Sequence, residues 1–325
     1  MKKIALAVCA LCAAVIFSAC SGAYESSVGY AMGVPVTQKL WGAGADCAEE
    51  ALDAVLKLED DISYRKNGAV ALFNSGGVIP RGEIYDLICE NYALFIETGG
   101  AYDITILPLV LAWGFDTDLP HLPEQSEINS ALALVGGGNI ILGEDGAYAV
   151  GGAKIDLSAA GKGAACQKAC EIYASHGATG AVVTVGGSVG VMGTKNGAPF
   201  TIAVRDPFEL SQSVALLTLT DSYISTSGSY EKRFTADGEE YHHLLDTSTG
   251  YPVKNGLVSV TVVCSDGALS DMLSSACFCL GIESSLSVLK NHSAQALFVR
   301  EDGKVFVTPG MVTYLECDSY EVLPE

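Results

Sequence analysis

Apolar residues recur at helical spacing in "DCAEEALDAVLKLEDDIS", where Ala51, Val55 and Leu58 fall on one face. The same period runs through "PRGEIYDLICENYALFIETGG", and Gly99 and Gly100 predict its end. Two more helices are predicted in "KGAACQKACEIYASHG" and "LSDMLSSACFCLG", the second starting near Leu269 or Ser270. β-branched runs bounded by turn residues predict strands in "GAVVTVGG", "FTIAVRD", "SVALLTLTDSYIST", "LVSVTVVCS" and "QALFVRED". Helices followed by antiparallel-looking strands predict an α+β fold.

The amino terminus follows neither period. Two lysines precede an apolar run from Ile4 to Ala19, then small residues and Cys20. That is the shape of a secretory signal, too short for a membrane span. The residues "FSAC" resemble a bacterial lipoprotein processing box, which implies a signal over 1–19 and a lipidated Cys20. A short polar tether would then run over 20–28 and the folded domain over 29–325. An ordinary signal peptide cut nearby is the alternative. Either way the chain is expected to be exported. With the lipid it would sit on the outer face of the cytoplasmic membrane, or on the periplasmic side where there are two membranes.

The net charge of −20 argues against nucleic acid as a partner, because a phosphate polymer would be repelled. An acidic protein that handles a phosphorylated small molecule needs local positive charge, usually with a divalent cation. Beyond the signal, the cysteines are Cys47, Cys89, Cys166, Cys170, Cys264, Cys277, Cys279 and Cys317. Their even number permits disulfides, but a chain of this length needs no cysteine framework. No C-x-x-C pair follows the signal, which argues against zinc, and most of these cysteines are expected to be buried as small apolar residues.

Several segments carry candidate chemistry. Asp271 and Ser275 stand four apart on a predicted helix and offer hard oxygen donors on one face, as Mg²⁺ requires. The bland reading is an aspartate offsetting the helix dipole. In "GAKIDLSAAGKG", Asp156 leads into a turn where Gly161 and Gly163 flank Lys162; a helix start with a lysine favours an anion. The spacing of a P-loop is absent, and a solvated lysine in a tight turn is the alternative. Asp103 stands at the edge of the apolar run "DITILPLVLAWGF" and suits the polar edge of a flat ligand. "TVGGSVGVMG" and "ISTSGSYEKRF" allow close backbone approach and hydroxyl contacts, although surface turns look the same. In "YHHLLDTSTG", an extended backbone sends His242 and His243 to opposite faces.

The order of these segments resembles the ApbE-type FAD:protein FMN transferase family. "AMG", "GGAYDITILPLVLAWGF", "IDLSAAGKG", "VTVGGSVGVMG", "STSGSYEKRF", "HHLLDTSTGYP" and "SDMLSSACFCLG" together span nearly the whole mature chain. The resemblance implies a single ApbE-like (T-fold-like) domain of mixed, mainly antiparallel sheets packed against helices. It implies FAD as substrate, Mg²⁺ as cofactor, and FMN transfer to a Thr or Ser hydroxyl of an acceptor flavoprotein with release of AMP. Met32, Tyr64, Ala101, Tyr102, Asp103, Asp156, Lys162 and Leu244 would contact FAD. The carbonyl of Ala159, Asp271 and the hydroxyl of Ser275 would hold the metal. His243 is expected to be the general base, with a pKa near the ordinary histidine value of about 6.5. His242 would pack or orient, and Asp246 would hold the turn.

The chain departs from the family pattern at several points. Ser275 stands for threonine, Thr247 for the proline after Asp246, Ser188 for an asparagine or acid, and Ser270 for alanine; "DLSAAGKG" is also atypical. Two other readings use the same residues: Mg²⁺-dependent hydrolysis of FAD to FMN and AMP, and a lipid-anchored flavin-binding protein without catalysis.

Overall fold

The computed structural model describes residues 24–324, so the signal and Cys20 lie outside the described residues. Its first elements are β1 (Glu25–Ala31), β2 (Val34–Trp41), α1 (Ala45–Ile62), α2 (Ala69–Asn74), α3 (Glu83–Glu97), α4 (Leu107–Trp113) and α5 (Gln125–Leu132). A small hairpin of β3 (Ile140–Leu142) and β4 (Ala147–Ala149) precedes α6 (Ser158–Ser175). Then come β5 (Gly180–Val185), β6 (Ser188–Gly193), β7 (Phe200–Arg205), β8 (Ser213–Leu219) and β9 (Ser222–Gly228). A second hairpin, β10 (Arg233–Ala236) and β11 (Glu239–His242), leads to β12 (Leu257–Cys264), α7 (Gly267–Leu280) and α8 (Ile282–Asn291). The chain ends with β13 (Gln295–Arg300), β14 (Val305–Val307), β15 (Leu315–Glu316) and β16 (Glu321–Val322).

A nine-stranded sheet in the order β1-β2-β5-β6-β9-β12-β13-β14-β16 organises the molecule, antiparallel except for the β14–β16 pair. Both faces are covered, which is why "LVSVTVVC" in β12 is almost continuously apolar. Val260 and Val262 pack into the helical layer, whereas Val263 packs with the three-stranded sheet β15-β8-β7. The buried stripe of α1 is Cys47, Ala51, Val55, Leu58 and Ile62. A third cluster joins α4 and α5 to the β10–β11 hairpin around Trp113, Phe115 and Tyr241. The α+β architecture with mainly antiparallel sheets against helices is as expected from the sequence.

Four local expectations change. Helix α6 starts at Ser158, so Gly161, Lys162 and Gly163 lie inside it and not in a preceding turn. Glycine costs a helix about 1 kcal/mol, which close helix packing at these positions offsets. Helix α7 starts at Gly267, earlier than expected, because the Asp266 carboxylate caps it by accepting the Leu269 N–H at 2.8 Å. "SVALLTLTDSYIST" is two strands in different sheets, broken at Asp221, where φ is +43°. The pairing of β1 with β2 begins at Glu25, so the last residues of the expected tether belong to the sheet. Met32 and Gly33, at φ +53° and +72°, turn this hairpin in the type I′ manner.

Candidate active site

The site is built where the first two turns of α6 and α7 cross. A Cβ on Gly163 would lie 1.9 Å from the Gly267 carbonyl oxygen, so only glycine permits this approach. The approach brings Asp271, only 3% exposed, onto the main chain of α6. Its Oδ2 accepts N–H bonds from Lys162 at 3.1 Å and Gly163 at 3.0 Å, and Lys162 Nζ stands 3.9 Å away. Its Oδ1 accepts the Ser188 hydroxyl at 3.3 Å. Burial pushes the Asp271 carboxyl above its ordinary range, against the pull of Lys162 and these donors. Asp271 in turn holds Lys162 above the usual lysine value, so its ammonium stays charged.

Ser275 follows Asp271 by one helical turn, and its hydroxyl is 3.0 Å from that of Ser227. In a regular helix the acceptor of the Gly163 N–H is the Ala159 carbonyl; here that N–H donates to Asp271. A buried carboxylate, a hydroxyl one turn further on and a main-chain carbonyl are hard oxygen donors of the kind that Mg²⁺ takes. Gly186, at φ +58° in the β5–β6 turn, lets the main chain pass the Lys162 side chain: a Cβ there would be 3.3 Å from Lys162 Cδ. Met32 reaches the same helix, with Sδ 3.9 Å from the position of a Cβ on Gly161.

The two histidines diverge. His242 ends β11, packs edge-on against the Phe278 ring, accepts the Leu244 N–H on Nδ1 at 3.3 Å and donates from Nε2 to the Val253 carbonyl at 3.1 Å. This network assigns the proton to Nε2 and makes His242 an orienting residue. His243 lies in the electrostatic field of Lys232 and Lys162. Its Nδ1 is buried and has no hydrogen-bond partner. Burial first, then the charges of Lys232 and Lys162, lower its pKa to about 3. The near-ordinary value expected for this base is therefore corrected: the ring is held neutral, with a free nitrogen. Asp246 holds the following turn, accepting from the N–H and hydroxyl of Ser248 at 2.7 and 2.6 Å.

The remaining candidates divide. Tyr64 donates its hydroxyl to Asp116, which also pairs with Arg65, and this group lies within the electrostatic field of Asp156. Asp156 is half-buried, caps the entry to α6 through the Ser158 N–H at 2.8 Å, and is pushed up by burial. Leu244 is buried and its N–H is the one bonded to His242. Tyr102 and Asp103 are turned inward. The Tyr102 hydroxyl donates to buried Asn91 at 2.5 Å, and the Asp103 carboxylate accepts from Thr105 and from the Gly137 N–H at 2.9 Å. Their side chains brace the fold, so any flavin contact of the segment with Ala101 falls to its main chain. Asp116 and Ser225 escape sequence reading, and Ser188 shows there only as a departure from the family pattern, because each acts through a partner distant in the chain.

Two segments of the expected pattern are stitched together across this region. Trp113 Nε1 donates to the Gly250 carbonyl at 2.8 Å, and the Thr247 hydroxyl donates to the Gly100 carbonyl at 2.7 Å. These two segments thus lie together in space.

Known proteins resemble this chain in sequence and in fold. The ApbE family matches residues 32–298. The FAD:protein FMN transferase of Treponema pallidum is 28% identical over 314 residues, 89% of this chain and 86% of its own. That of Salmonella typhimurium is 28% identical over 276 residues, 79% and 78% of the two chains. The crystal structure of the ApbE protein from Thermotoga maritima has a TM-score of 0.83 at 29% identity, covering 90% of this chain and 99% of that one. The flavin transferase ApbE from Vibrio cholerae gives 0.79 at 26% identity, with coverages of 90% and 99%. A match that runs from the Met32 turn to β13 and takes in the whole α6–α7 crossing shows that this chain belongs to the ApbE family.

Proposed function

We propose that this protein transfers the FMN half of FAD to a hydroxyl of an acceptor protein. The oxygen of a threonine or serine attacks the FMN-side phosphorus, the bond to the bridging oxygen breaks, and AMP leaves. The attacking hydroxyl gives up its proton to His243. The observation that carries this reading is the neutral His243 with its unpartnered Nδ1, in the field of the Lys162 ammonium that Asp271 holds charged.

Each residue then has a physical task. Lys162 attracts the diphosphate, a local positive charge in an acidic protein. Diphosphate charge offsets the two lysines that depress His243, which raises its basicity when substrate is present. Asp271, Ser275 and the Ala159 carbonyl would hold Mg²⁺, which when bound neutralises charge on the diphosphate oxygens. Met32, Tyr64, Asp156 and Leu244 would frame FAD. The acceptor would be a flavoprotein at the membrane or outside it. The sequence of the amino terminus supports export and a lipid on Cys20, which metabolic labelling of wild type against Cys20→Ala tests.

The experiment for the reaction is incubation with FAD, Mg²⁺ and a threonine-containing acceptor. Covalent FMN on the acceptor with one AMP released per transfer supports the proposal. Free FMN with unmodified acceptor would mean hydrolysis, and FAD binding without AMP would mean no catalysis.

A further inference from the structure

Asp271 is held unequally. Oδ2 receives two main-chain N–H groups, whereas Oδ1 receives a single hydroxyl, that of Ser188. A carboxylate offers about four acceptor positions, two on each oxygen. Oδ2 is therefore filled, and Oδ1 keeps one open.

What fixes the direction of the Ser188 hydroxyl is a buried chain of serines from three separate elements. Ser188 opens β6, Ser225 lies in β9 and Ser270 in α7, each no more than 1% exposed. Ser225 Oγ is 3.0 Å from Ser188 Oγ and 2.9 Å from Ser270 Oγ. The Ser270 hydroxyl also lies 2.8 Å from the Gly267 carbonyl, and with the Ser225 proton on Ser188 the single Ser270 proton is shared between that carbonyl and Ser225 Oγ. That is the carbonyl against which Gly163 packs, so the chain is tied to both helices of the crossing. A hydroxyl carries one proton. When Ser225 donates to Ser188, the Ser188 proton has one acceptor left, Asp271 Oδ1.

We propose that Ser188 is a positioning residue for Asp271: held by Ser225 and Ser270, it occupies one side of Oδ1 and aims the remaining lone pair at a divalent cation. The inference rests on the reading of Asp271 as a cation ligand. Its effect is on affinity for the ion, through orientation of a ligand that Ser188 does not replace. Outer partners of metal ligands are worth about ten- to a hundredfold in affinity; the long 3.3 Å contact puts Ser188 at the low end, about tenfold.

The test measures Mn²⁺ binding to the full-length protein without FAD by the loss of free-ion EPR signal, beside thermal unfolding of the metal-free protein. Ser188→Ala is expected to weaken binding about tenfold while the metal-free protein unfolds at a nearly unchanged temperature. Ser225→Ala, which leaves the Asp271 contact in place but frees the Ser188 rotor, is expected to weaken it less. The double variant should match Ser188→Ala alone, because Ser225 acts through Ser188. Wild-type affinity in Ser188→Ala overturns the positioning role and leaves Asp271 as a ligand. No Mn²⁺ uptake by the wild type overturns the cation reading itself. Should Ser188→Ala not fold, the Ser225→Ala result decides: wild-type affinity there overturns the proposal, and weakened affinity supports it.

Discussion

Gly163 and Gly267 meet backbone to backbone: a Cβ on the first would lie 1.9 Å from the carbonyl oxygen of the second, and one on the second 2.3 Å from that of the first. Neither obstacle is the end of a flexible side chain, so relief requires α6 and α7 to move apart. Gly163→Ala is therefore expected to lower stability by at least about 3 kcal/mol and to abolish AMP release. Urea unfolding with the assay on the folded fraction checks both.

Asp271→Asn keeps the shape of the side chain but removes its charge and turns an N–H₂ group toward donors. Loss of a ligand that helps bring charge to the diphosphate should cut AMP release about a thousandfold. FAD binding measured without Mg²⁺ should fall much less, since Lys162 remains.

His243→Gln should reduce FMN transfer about a hundredfold or more and leave FAD affinity near wild type. The pH dependence has a sign fixed by the depressed pKa. The unfolded chain takes up a proton below pH of about 6.5, whereas the folded one refuses it until about 3. The contribution is complete above the unfolded pKa and is eroded as pH falls through that window. Wild type should thus lose stability between neutral and about pH 4 more steeply than His243→Gln, as read from urea midpoints. In the free enzyme, kcat/KM should show no acid limb near 6.5 from this residue.

Tyr102→Phe separates structure from contact. It leaves buried Asn91 Oδ1 without its donor, which should cost about 1–3 kcal/mol. FAD affinity and transfer rate of the folded protein should stay within about twofold of wild type. A large loss of FAD affinity at unchanged stability would return the Tyr102 side chain to the flavin site.

Much of this molecule was legible in the sequence, and the gaps have physical causes. The stripe of α1 and the runs of β12 and β13 follow from burial alone, which periodicity reports directly. The diverging histidines follow from the pleat. Lys162 was misplaced because glycines on both sides of it read as a turn; a helix–helix contact that tolerates no Cβ is invisible to a local pattern. The β1–β2 hairpin escaped because its strands are mixed in polarity, with β1 at the sheet edge. Ser188 and Ser270 were visible only as two separate departures from the family pattern. In space both hydroxyls meet Ser225, which joins them into one hydroxyl network across three elements.

The serine-rich seam between β9 and α7 has a mechanical corollary. Ser225 meets Ser270, and Ser227 meets both Ser274 and Ser275, at spacings that match one turn of helix. Greasy side chains would let a helix slide or roll over a sheet at little cost, because dispersion has no preferred direction. Hydroxyl pairs do not, since each bond is lost within a fraction of an ångström of shear. The helix is keyed to the strand like a rack to its pinion, and Asp271 inherits its coordinates from that gearing.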